Sequence, residues 1–110
     1  MLKKIEEVLK QLNIEIAYQV YNGSSDEYII FDIYDEKDSE FSEDENLGVT
    51  YYITINYWHK SKSCISKYKT IKNLFKNNGF FFYSMTTMPI QNSLFGKNFT
   101  FKFEEILEDD

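Results

Sequence analysis

Residues 49–58, VTYYITINYW, form the strongest strand pattern in the chain. Tyr51, Ile53, Ile55 and Tyr57 alternate with Tyr52, Thr54, Asn56 and Trp58. A period of two puts successive side chains on opposite faces, and β-branched and aromatic residues suit a pleated, half-buried surface. One such strand is not stable alone, and the flanking segments supply partners. Residues 14–21 alternate, with Ile14, Ile16, Tyr18 and Val20 on one side. Residues 27–34 alternate too, with Ile29, Phe31 and Ile33 against Tyr28, Ile30, Asp32 and Tyr34. Asn22-Gly23 between them predicts a hairpin. Residues 80–86, FFFYSMT, read as a strand that is apolar on both faces, and residues 98–104 alternate Phe99, Phe101 and Phe103 with Thr100 and Lys102. Pro89 and Gly96 bracket an expected loop.

Two segments carry the helical period instead. In residues 2–12, Leu2, Ile5, Val8, Leu9 and Leu12 share one face. Residues 64–78 form the second, with Ser63 as N-cap and Gly79 just past the end. Its expected buried arc is Cys64, Ile65, Tyr68, Ile71, Leu74 and Phe75, and Lys62, Lys69, Lys72 and Lys76 fall on a neighbouring arc. The order is α-β-β-β-α-β-β. It predicts a single α+β domain over residues 1–110, a two-layer fold with a largely antiparallel sheet and both helices on one face. The other sheet face would then expose Tyr28, Ile30, Tyr34, Tyr52 and Trp58, and an apolar patch of that kind marks an interface.

At 110 residues, with ten Phe and nine Tyr, the chain can bury one core. A single cysteine, Cys64, excludes an internal disulfide and fits a reducing compartment. No apolar run approaches a membrane span, and the start MLKKIEEVLK lacks the apolar stretch of a secretory signal. Neither membrane insertion nor export is therefore expected.

The charges are segregated. Residues 1–45 hold thirteen acids and four lysines, residues 46–103 hold eight lysines and no acid, and residues 104–110 add five acids. All basic residues are lysine, which argues against sequence-specific reading of nucleic acid, where the guanidinium fork is the favoured reader of guanine. Residues 35–48, DEKDSEFSEDENLG, carry Asp35, Glu36, Asp38, Glu40, Glu43, Asp44 and Glu45. On composition this is a solvated loop, and the tail at 105–110 is expected to fray. A surface this polar suits a protein that meets copies of itself or a polyanion.

No catalytic constellation stands out. Cys64 at a helix start and His59 five residues earlier make a Cys/His pair on paper, but Cys64 also fits the apolar arc, as buried structural cysteines do. The acidic stretch lacks the spacing and glycine of a calcium loop. The four glycines stand singly, so no phosphate-cradling loop can be written. No enzyme activity, metal or cofactor is expected.

Several segments together resemble one family. They are Tyr18-Gln19-Val20-Tyr21-Asn22-Gly23, Glu27-Tyr28-Ile29-Ile30-Phe31, the acidic stretch, Tyr51–Trp58, and a lysine-rich helix closing in Asn78-Gly79-Phe80. Over roughly residues 5–104 the chain resembles the tail-terminator, or tail-completion and head–tail joining, proteins of phages and prophages. The resemblance implies a non-enzymatic virion structural protein, made in the bacterial cytoplasm. It would form a homo-hexameric ring at the head-proximal end of a tail tube. The implied partners are the tube protein and a head connector, or a collar in a headless tailocin or other contractile injection system. In contractile tails the sheath is a further partner. On this reading Lys62, Lys69, Lys72, Lys76, Tyr28, Tyr52 and Trp58 belong to subunit interfaces. The acidic residues 35–45 line the lumen or meet a neighbour's lysines. The alternative reading is a small acidic binding protein, either a nucleic-acid mimic or a module that binds nucleic acid through its basic helix.

Overall fold

The computed structural model describes residues 1–40 and 47–106. Helix α1 (Leu2–Lys10) is followed by strands β1 (Glu15–Tyr18), β2 (Glu27–Glu40) and β3 (Leu47–His59). A short 3-10 turn (Lys62–Ile65) then leads into helix α2 (Ser66–Asn77), and strands β4 (Phe81–Gln91) and β5 (Leu94–Ile106) complete the chain. The fold is α+β, in the order read from the sequence. The five strands lie in one sheet in the order β1-β2-β3-β5-β4.

Alternation decides which face carries the helices. Ile29 and Phe31 of β2, Ile53, Ile55 and Tyr57 of β3, and Phe99 and Phe101 of β5 are all buried. They meet Ile5, Val8 and Leu9 of α1 and Ile71 and Phe75 of α2 in one core. Both helices therefore cover the same sheet face. Helix α2 stops where Gly79 takes φ +89°, a conformation glycine adopts without a Cβ penalty. The Gly79 amide donates to the Lys76 carbonyl (3.3 Å) and the Phe80 amide to the Phe75 carbonyl (3.1 Å). These two bonds make a Schellman cap, and its apolar seal is the Phe75–Phe80 ring pair at 5.0 Å.

Several expectations are corrected. β1 is only four residues long and pairs parallel with β2, Glu15 beside Tyr28, so residues 14–34 are not a hairpin. Gln19 turns the chain at φ 66°, and the return segment crosses the helix-free face, where the Tyr21 ring stacks on Tyr28 at 3.8 Å. The acidic stretch is not a loop over residues 35–40 or 47–48. Those residues extend the β2–β3 ladder from Asp35–Tyr52 out to Glu40–Leu47, while Glu43, Asp44 and Glu45 lie outside the described residues. Two ladders explain this, because β5 backs β3 as far as Ile106 opposite Gly48. Glu105 and Ile106 are thus strand, not frayed tail. The expected loop between Pro89 and Gly96 shrinks to Asn92-Ser93, both at positive φ, as in a two-residue hairpin turn. The Ser61 side chain, not that of Ser63, accepts the capping bond, from the Ser63 amide. Ile65 lies outside the buried arc at 53 % exposure, because the 3-10 turn breaks the helical phase.

Candidate assembly surfaces

The helix-free face holds a row of aromatic rings. Pairing sets Asp35, Tyr52, Lys102 and Phe81 side by side across β2, β3, β5 and β4. The register shifts by one residue at Tyr34 in β2 and at Tyr83 in β4. A bulge re-aims the extra side chain, and both of these tyrosines converge on Tyr52, Tyr34 tilted at 6.1 Å and Tyr83 stacked at 6.2 Å. The Lys102 ammonium lies 5.5 Å from the Phe81 ring and 3.3 Å from Glu104, and Lys37 lies over Tyr52 at 5.7 Å. Burial, followed by Tyr83, Tyr52 and Asp35, pushes the Tyr34 hydroxyl above its ordinary pKa. Tyr34, Phe81 and Tyr83 are nonetheless 51, 57 and 56 % exposed.

This face is not the continuous apolar patch expected from the sequence. Its centre is a polar ladder. The Asn98 amide donates to Thr54 and to Asn56 at 2.6 Å each, and Ser84 bonds Thr100 at 2.6 Å. Tyr28 and Tyr52 are half-buried, the first beneath Tyr21. Trp58 is a correction: it is 7 % exposed, seated over Gly96, its partner on β5. Only glycine leaves room there.

The lysines of α2 divide. Lys62, Lys69 and Lys76 are exposed, and Lys72 is half-buried with its ammonium 4.3 Å from the Phe82 ring. Lys72 and Lys76, with Gly79, Phe80, Phe81 and Phe82, line a groove of about 480 Å³ beside the start of β4. Toward the other edge of the sheet, Asp35, Glu36 and Asp38 are exposed along β2. Glu104 and Glu105 extend the acidic field on β5.

β4 is an edge strand of eleven residues without one charged side chain. Phe81, Tyr83, Met85 and Ile90 stand exposed along it. Phe81, Tyr83 and Lys102 are not among the residues the sequence singles out as a site. Two signals point to Phe81 and Tyr83, an uncharged run from 81 to 91 and Pro89, which a sheet tolerates only at an edge or bulge, and neither reaches Lys102 on β5.

A separate polar network ties α2 to the sheet. Glu27 Oε2 accepts from Lys67 (2.6 Å), from the Cys64 thiol (3.6 Å) and from the Tyr57 hydroxyl. Burial alone would raise the Glu27 carboxyl pKa, but the bonds from Lys67, Tyr57 and Cys64 outweigh it and hold the group below the usual carboxylate range. Burial and Glu27 push the Tyr57 hydroxyl well up. His59 is fully used. Its Nδ1 bonds the Ser61 carbonyl (3.0 Å) and so carries the proton, and its Nε2 bonds the Tyr68 hydroxyl (2.5 Å). Cys64 and His59 thus each have other partners and form no dyad. Among the described residues no three His, Cys, Asp or Glu side chains gather as a metal site, and no helix is long and apolar enough to cross a membrane.

No protein-family model matches the chain, and a search of curated proteins finds no match either.

Proposed function

We propose that this chain is a non-enzymatic structural subunit. Six copies close into a ring that terminates the tail tube of a phage or phage-like particle and joins it to the head connector or collar. The observation that carries this reading is the uncharged β4 edge beside the exposed rings of Tyr34, Tyr83 and Phe81, grouped around the half-buried Tyr52. Large rings on a sheet face and open backbone groups along its edge are surfaces that another chain satisfies. The segregation of acids from lysines supports repeated contact between copies, because complementary patches set register and reject wrong pairings. The family resemblance of residues 5–104 supplies the particular assembly. In it the aromatic row docks on the tube or a neighbouring copy, and the acidic strands face the lumen or a neighbour's lysines. An acidic lumen keeps DNA from adhering as it passes.

The test is mass in solution together with negative-stain images, with and without tail-tube protein. Six-membered rings, or tubes capped at one end, are expected. A monomer that leaves tube length and tube ends unchanged overturns the assignment.

A further inference from the structure

We infer that β4 pairs antiparallel with β4 of a second copy, about a two-fold axis that passes beside Thr86 perpendicular to the sheet, so that the two sheets join into one. The inference goes beyond the ring reading and does not rest on it. A two-fold contact closes at two copies. The pair is therefore a form of the free chain, and it competes with docking for the same edge.

β4 is the last strand of the sheet, and its outer side has no strand partner among the described residues. Over Phe81–Gln91 it carries no charge with which to select an unlike partner, and for the same reason nothing on it repels a copy of itself. Its shape is self-complementary as well. The ladder to β5 shifts register twice, at Tyr83 and between Met88 and Gln91. Tyr83 and Pro89 each stand three residues from Thr86. Turning the strand end for end about Thr86 therefore sets bulge against bulge and keeps one register along the whole seam.

The backbone permits this register. The two-residue turn Asn92-Ser93 makes Gln91 and Leu94 a hydrogen-bonded pair, so along β5 Gly96, Asn98 and Thr100 also bond toward β4. Their partners Met88, Thr86 and Ser84 are thereby engaged, and Met85 and Thr87 direct their amides and carbonyls outward. Rotation about Thr86 brings Met85 opposite Thr87 of the second copy, so two outward-bonding residues meet, as an antiparallel ladder requires. It also sets Ile90, at 63 % the most exposed large apolar side chain of β4, opposite Phe82, which walls the groove beside Lys72 and Lys76. Symmetry makes that contact twice. Lys72, Lys76 and Lys102 of the two copies then fall at opposite ends of the seam, each set beside the partner's uncharged turn, whereas parallel pairing would gather them at one end.

Cysteine placement tests the register, and sedimentation without tube protein tests the affinity. Residues that face each other at the axis bring their Cα atoms to about 4.5 Å, within disulfide reach, whereas a residue two places off the axis lies far from its own copy. In a Cys64→Ser background, mild oxidation should cross-link Thr86→Cys chains into dimers on a non-reducing gel and leave Ser84→Cys chains single. A mixture of Ser84→Cys and Met88→Cys chains should cross-link, because those positions face each other. Met85→Lys puts a charge into the seam and should weaken dimerisation at least tenfold, with circular dichroism confirming that the variant is folded. A monomeric unaltered chain at millimolar concentration, Thr86→Cys chains that stay single, Ser84→Cys chains that cross-link as fast, or dimers indifferent to Met85→Lys overturns the contact. Each of these leaves the ring reading standing, and failure to cap tubes leaves the dimer standing.

Discussion

Trp58 and Gly96 face each other across β3 and β5, and a β-carbon on Gly96 would stand 2.5 Å from Trp58 Cζ3. The indole cannot swing clear without giving up the burial it gains there. Gly96→Ala should therefore destabilise the fold by about 1–3 kcal/mol, the usual range for overpacking. Urea unfolding followed by tryptophan fluorescence measures it, since Trp58 is the chain's one tryptophan.

Glu27 collects Lys67, Tyr57 and Cys64 on one carboxylate oxygen. Glu27→Ala leaves the Tyr57 hydroxyl buried without its acceptor and should lower stability by about 1–3 kcal/mol. The pH dependence has a definite sign. A carboxyl held below its ordinary 4.5 when folded adds stability that is present above that value and is lost as pH falls through the depressed one. The gap in urea midpoint between the native chain and Glu27→Gln should shrink from pH 7 to pH 3.

Gly79 closes α2 at φ +89°. Gly79→Ala forces a side chain into the left-handed region and should cost about 1–2 kcal/mol. Thermal unfolding reads this, and Asn77→Ala at an exposed neighbouring position serves as control with little change.

Tyr34 and Tyr83 stand more than half exposed beside Tyr52. The double change Tyr34→Ser and Tyr83→Ser removes two exposed ring contacts with Tyr52 and should lower monomer stability by about 1–2 kcal/mol, leaving the fold intact. Under the proposed function it should reduce capping of tail tubes severalfold, counted in negative-stain images. Unchanged capping would take the aromatic row out of the docking surface.

The core was legible because alternation and helical period agree with it. Ile29 and Phe31, Ile53, Ile55 and Tyr57, and Phe99 and Phe101 fall on one face as their spacing requires. What escaped was governed by distant contacts. Asn22-Gly23 looks like a hairpin turn, but the chain has already turned at Gln19, and stacking of Tyr21 on Tyr28 holds the return segment across the sheet. Asp35, Glu36 and Asp38 read as loop because charge lowers strand propensity, yet the ladder to Val49, Tyr51 and Tyr52 overrides composition. The candidate surface was half visible. Tyr34 and Tyr52 were named from their alternation, whereas Tyr83 reaches them through a bulge that no periodicity reveals.

β4 has no lysine or glutamate to deter the wrong neighbour. Natural edges usually carry such gatekeepers, and without them solubility depends on occupancy. In the assembly proposed above, copies in surplus over their docking positions would therefore tend to aggregate through β4. Such an assembly would require synthesis matched to the number of places to be filled, a demand written into eleven residues.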